Sequence, residues 1–147
     1  MIPSQSIVTF IQGYEKCRLQ SCMPTPNDKP TIGWGTTGSD IVMGMTWTQA
    51  QCDARFASDL DNFAQGVTSR LTGDTTQNQF DALLSLAYNI GLGNFGPSTV
   101  LRMHNAGDFA AVPAHFLDWK YQKGQVLQGL LNRREAEAKV YQGTQDA

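Results

Sequence analysis

At 147 residues with a formal net charge of −2, the chain suits one domain and lacks the basic excess of a dedicated nucleic-acid binder. Hydrophobic residues make up 41% and charged ones 16%, so a packed core is expected and disorder is not. No apolar run approaches the roughly 18 residues of a membrane span, so stable membrane insertion is not expected. Residues 1–10 carry no basic stretch or long apolar run, which excludes a visible signal peptide and predicts accumulation in a cytoplasm.

The spacing of Ile7, Phe10 and Ile11 predicts a helix over 4–14, capped by Ser4 or Ser6 and ended by Gly13. Residues 17–44 then change character, with Pro24, Pro26 and Pro30 and four glycines breaking any long helix. Residues 18–22, 30–36 and 41–43 read as strands of a small antiparallel sheet, with 23–29 as its first turn. Cys17, Cys22 and Cys52 fit no disulfide framework, and with His104 and His115 far along the chain they fit no metal set. They read as small buried or half-buried thiols, and no metal is expected.

A capping box at Thr48 and Gln51 opens a long helix, whose apolar stripe is Phe56, Leu60, Phe63, Val67 and Leu71. Gly73 and Asp74 break it. A second box at Thr76 and Gln79 opens the next helix, with Phe80, Leu83, Leu84, Ala87 and Tyr88 as its stripe. Residues 91–97 read as a Gly-rich turn. Ser98 starts a short helix ended by Gly107, and Asp108 caps another through Phe116 and Trp119. Gly124 and Gly129 punctuate a loop, and Asn132 with Glu135 caps a last helix through Tyr141. Arg133 and Arg134 read as part of a solvated face, able to pair with acidic groups. The order of helix, small sheet and many helices is an α+β arrangement.

Glu15 stands between the first helix and the sheet. Asp28 follows thirteen residues later and Thr31 sixteen residues later, at the opening of the next strand. If the strands pair as a hairpin, the three converge. Glycoside hydrolysis needs one carboxylic acid to protonate the leaving oxygen, and a second polar centre to hold a water or steady the developing positive charge. Tyr14 and Trp34 could supply a partly apolar setting. Spacing alone also admits an ordinary solvated Glu at a helix end.

The segments Tyr14-Glu15-Lys16-Cys17-Arg18-Leu19 and Pro30-Thr31-Ile32-Gly33-Trp34-Gly35-Thr36-Thr37-Gly38 resemble the phage-type lysozymes of glycoside hydrolase family 24. The resemblance continues through Gln79-Phe80-Asp81-Ala82-Leu83, Ala87-Tyr88-Asn89-Ile90-Gly91 and 129–137, in the family's order. It implies a lysozyme-like fold: a single catalytic domain over 1–147, with a small antiparallel β-sheet lobe (15–45) joined by a long helix to a mainly helical lobe. It implies a muramidase that cuts the β-1,4 bond between N-acetylmuramic acid and N-acetylglucosamine in bacterial peptidoglycan.

By the same resemblance Glu15 matches the proton donor and Thr31 the residue that helps place the water. The family's third member is an Asp or Cys nine residues after the Glu, and here that position is Pro24. Asp28 is the carboxylate of the loop and the candidate replacement, with an ordinary turn Asp, or Cys22 in the role, as alternatives. Tyr88, Asn89, Ser98, His115 and Thr37 match substrate-contact positions. Gly33 and Gly35 are expected to permit close backbone approach. No cofactor is implied. The implied setting is phage release: a monomer held in the host cytoplasm and reaching the periplasmic wall through a separate holin-type pore. Two rivals keep the same fold: a wall-binding module without catalysis, and a glycosidase of chitin-type polymers.

Overall fold

The computed structural model describes residues 1–24, 28–144 and 147. The centre of the expected first turn, 25–27, lies outside the described residues. The chain divides into two compact units, residues 10–62, and residues 1–9 with 63–147. The architecture is mainly helical with small antiparallel sheets, as the α+β order of elements predicts.

Helix α1 spans Gln5–Glu15. Ser4 caps it, accepting the Ile7 N–H at 3.1 Å. The helix passes through Gly13 instead of ending there. Ile7 and Ile11 are fully buried, and burying such side chains stabilises by about 1.5–3 kcal/mol each, against about 1 kcal/mol for a helical glycine. The helix is ended by Lys16, which takes a left-handed conformation (φ 55°).

In unit 10–62, β1 (Arg18–Cys22) pairs antiparallel with β2 (Thr31–Gly33), with Arg18 opposite Gly33 and Cys22 opposite Thr31. The strand expected at 41–43 is a turn. The Ile41 N–H folds back onto Gly38 O, and Gly44 adopts φ 91°. Residues 45–47 meet β1 instead: Ser21 N–H donates to Met45 O, and Trp47 N–H to Leu19 O. Helix α2 (Gln49–Arg70) opens with the predicted capping box, Thr48 N–H donating to Gln51 Oε1 (2.8 Å) and Gln51 N–H to Thr48 Oγ1 (3.1 Å). Phe56, Leu60 and Val67 of its stripe are buried; Phe63 is half-buried, and Leu71 follows the helix end. The cysteines are free thiols, Cys52 buried and Cys17 and Cys22 half-buried. Burial, and then contact with Cys17, push the Cys52 thiol up to about 11.

In unit 1–9 with 63–147, α3 (Gln77–Ile90) carries the predicted Thr76/Gln79 capping box. Residues 80–88 are all buried, so this helix is enclosed on every side and not along one stripe alone. Its Asp81 is satisfied by Ser4 N–H, Ser4 Oγ and Gln77 Nε2. The expected turn at 91–97 contains a short helix, α4 (Leu92–Phe95), because Phe95 is fully buried and Leu92 packs on the bare face of Gly66. Helix α5 (Thr99–Asn105) follows Ser98, and Gly107 turns the chain at φ 78°. The helix expected after Asp108 is broken into a 3-10 turn (Phe109–Ala111), α6 (Val112–Phe116) and a second 3-10 turn (Leu117–Trp119). Asp108 makes no side-chain cap there.

A hairpin, β3 (Tyr121–Gln122) and β4 (Gln125–Val126), occupies part of the expected loop. Lys123 and Gly124 take positive φ (52° and 76°), as a two-residue hairpin turn requires. Helix α7 (Gln128–Gln142) begins before the expected Asn132 cap and includes Gly129; Asn132 instead accepts from Gln128 Nε2 at 2.8 Å. α3 packs most extensively against α7. Arg133 and Arg134 are not on a solvated face: both are buried around the fully buried Glu137. Among the described residues no helix is long and apolar enough to cross a membrane, and no group of three or more His, Cys, Asp or Glu is set to hold a metal.

Candidate active site

Glu15 is the last residue of α1 and is half-buried. Lys16 swings the chain directly into β1, so the carboxyl is carried at a rigid helix end. Its neighbour is the turn that follows β2. Ile32 and Thr36 exchange backbone hydrogen bonds (3.0 and 2.8 Å), which closes Gly33-Trp34-Gly35 into a tight loop. Gly33 and Gly35 both take positive φ, 64° and 81°. A Cβ on Gly35 would sit 2.3 Å from Glu15 Oε2 and 2.9 Å from its Cδ. The Glu15 carboxyl therefore rests on the bare Cα of Gly35. This is the close approach expected of that glycine.

A methyl group there meets two obstacles, the carboxyl and the left-handed backbone. Gly35→Ala is expected to lower activity by between about 10- and 10²-fold, because sub-ångström to ångström displacement of a reacting group costs that much. Steady-state rates compared with thermal melting check it, and an active, normally melting variant would contradict the tight seat.

The turn is tied to α2 on both flanks of Gly35. Trp34 Nε1 donates to Asp53 Oδ1 (2.8 Å), to which Gln49 Nε2 also donates (2.9 Å). The Trp34 ring tilts against Phe56, centroids 6.2 Å apart. On the other flank the buried Thr36 Oγ1 donates to Asp59 Oδ2 (3.2 Å). Arg55 Nε bonds Asp59 Oδ1 (3.0 Å), and its Nη1 bonds Asp40 Oδ2 (2.7 Å). The Trp34 and then the Gln49 N–H groups hold the Asp53 carboxyl below its usual range, and Arg55 does the same for Asp40. Sequence reading missed these helix residues. The Arg55–Asp59 spacing of four was visible as a helix-surface pair, but nothing local tied it to the turn.

Thr31 opens β2, and its Oγ1 donates to Lys29 O (3.1 Å). Asp28 is exposed, with its Oδ1 accepting the Lys29 N–H (2.8 Å), a local turn contact. Pro24 is exposed. Thr37 is exposed immediately after Thr36. The other expected contacts belong to the second unit. Tyr88 is 9% exposed, and its ring tilts against Phe63 at 5.2 Å. Asn89 is exposed beside it near the end of α3. His115 is half-buried, its Nδ1 3.0 Å from Asp118 Oδ2. Ser98 stands at the start of α5, where the sequence places it. It is 5% exposed, donates its hydroxyl proton to Phe95 O (2.6 Å) and accepts the Leu101 N–H, which makes it the N-cap of that helix.

The phage lysozyme family model matches residues 12–137. The endolysin of Bacillus phage PZA is 39% identical over 139 residues, 94% of this chain and 54% of that protein. The chain thus spans about half the length of the curated relatives it matches. The endolysin from Escherichia coli O157:H7 phage FAHEc1 superposes with a TM-score of 0.85 at 33% identity, over 99% of this chain and 96% of that one. The muramidase domain of SpmX from Asticaccaulis excentricus gives 0.82 at 33% identity, over 94% and 95%. These neighbours bear out the lysozyme-like fold. With its family motif spread over 12–137 and its elements in the same arrangement, the chain belongs to the phage lysozyme family.

Proposed function

We propose that the chain is a muramidase endolysin, hydrolysing the β-1,4 bond between N-acetylmuramic acid and N-acetylglucosamine in bacterial peptidoglycan at host-cell lysis. One observation carries this reading: in a member of the phage lysozyme family, the Glu15 carboxyl is seated on Gly35. In the proposed reaction Glu15 gives its proton to the departing glycosidic oxygen. Thr31 places the attacking water. Its own proton points to Lys29 O, which leaves the oxygen's lone pairs to accept from that water. Asp28, the carboxylate of the loop, takes the proton the water releases. Within the unit that holds Glu15, the exposed Thr37 is the further polar side chain proposed to contact the sugar. Tyr88, Asn89 and His115, in the other unit, are proposed as sugar contacts on the resemblance alone.

The proposed setting is a monomer that passes from the host cytoplasm to the periplasmic wall through a separate holin-type pore. Digestion of purified peptidoglycan, followed by borohydride reduction, tests the reaction. Muramitol as the new reduced end is expected. Glucosaminitol would place the cut on the other bond. Sedimentation with the wall and no new reducing ends would favour the binding-module reading. Equal cutting of chitin oligomers would favour the chitin-type reading.

A further inference from the structure

We infer that Asp53 and Asp59 are positioning residues for the proposed acid: from two points on α2 they clamp the Gly33–Gly35 turn on which the Glu15 carboxyl rests. The inference builds on the reading of Glu15 as proton donor.

A turn with two glycines at positive φ is poorly able to hold itself, since glycine loses the most conformational freedom on ordering. The Ile32–Thr36 backbone pair closes the base of the turn but leaves its tip to hinge. The side chains on either side of Gly35 supply what is missing. Trp34 Nε1 ends on Asp53 and Thr36 Oγ1 ends on Asp59. The two carboxylates are six residues apart on one helix, a rise of about 9 Å. One anchor fixes a position; two anchors that far apart also fix an orientation.

Each anchor is itself held, Asp53 by Gln49, and Asp59 by Arg55, which is in turn bound by Asp40. Asp53 is exposed, and exposed polar contacts contribute little to stability. Removing it is therefore expected to leave the fold standing while loosening the seat. The Trp34 and Gln49 N–H groups also hold the Asp53 carboxyl below its usual range.

The test measures kcat and KM on soluble peptidoglycan fragments, with melting curves alongside. Asp53→Ala and Asp59→Ala are each expected to lower kcat by about tenfold, with KM within about twofold, the signature of a misplaced reacting group. Asp53→Asn, whose amide oxygen accepts both N–H groups, is expected to recover most of the rate. Trp34→Phe keeps an aromatic ring but removes the N–H together with part of the packing on Phe56, and should lose at least as much rate as Asp53→Ala. The Trp34→Phe/Asp53→Ala double variant should be no worse than the poorer of those two singles, because both remove the same Trp34–Asp53 contact.

Unchanged kcat in both alanine variants, an additive double variant, or rate losses that simply track melting temperature would each overturn the proposal. Glu15→Gln is run beside them. A fully active Glu15→Gln fails the acid assignment whatever Asp53 does. An inactive Glu15→Gln with active Asp53→Ala and Asp59→Ala fails the positioning alone.

Discussion

Glu15→Gln is expected to slow the clearing of outer-membrane-permeabilised Gram-negative cells by about 10²–10⁴-fold, the contribution of a general acid. The substitution keeps the length and shape of the side chain, so the seat on Gly35 accepts it without the clash a Cβ there would cause. What it removes is an acidic proton. Melting temperature should therefore stay near that of the unaltered protein while the rate collapses. The contrast with Gly35→Ala is informative. That variant keeps the acid and moves it, so residual activity should be higher than in Glu15→Gln. Clearing by Glu15→Gln at the original rate would sink the assignment of the acid, and with it the mechanism built on Glu15.

Glu137→Gln is expected to destabilise the fold by about 3–5 kcal/mol, the cost of breaking a buried ion pair from one side. For a chain of this size that lowers the melting temperature by roughly 6–20 °C. Glu137 and Arg134 are 0% exposed. Arg134 Nε lies 2.6 Å from Glu137 Oε1, and Arg134 Nη2 and Arg133 Nε contact Oε2 at 3.0 and 3.3 Å. Ser85 Oγ on α3 also donates to Oε2, and Ser85 O accepts from Arg133 Nη2. Without the carboxylate, two guanidinium groups remain in the α3–α7 interface with no counter-charge from Glu137. Equilibrium unfolding in urea measures the loss directly. A change within about 0.5 kcal/mol, the range of ordinary surface substitutions, would mean that the carboxylate is not the partner that makes this burial tolerable.

The same cluster shows why sequence reading misplaced Arg133 and Arg134. Two arginines and a glutamate at helical spacing look like a solvated face, because charged residues are seldom fully buried. Only the arrival of Ser85 from α3, 48 residues away from Arg133, turns that face inward. The hairpin at 121–126 was missed for a different reason. Lys-Gly is a weak turn signal beside Asn-Gly, and strands of two residues carry no readable alternation. The break of the 109–119 helix into α and 3-10 pieces likewise left no mark beyond Pro113, which helix starts tolerate.

What the sequence by itself determined was local. Both capping boxes, the end of α5 near Gly107, the α2 stripe as far as Val67 and the glycines of the Thr31–Thr36 segment follow from short-range chemistry, and each is found in the structure. The family motif, read in order, also identified Glu15 as the residue to examine. Tertiary structure alone decided what Gly35 makes room for. It also decided that Asp53 and Asp59 tie down the turn beside it. The physical reason is common to all of these. A cap or a stripe depends on neighbours three or four residues away, and the chain displays them. The seat of a carboxyl depends on atoms that meet only after residues 15, 35, 53 and 59 have folded together.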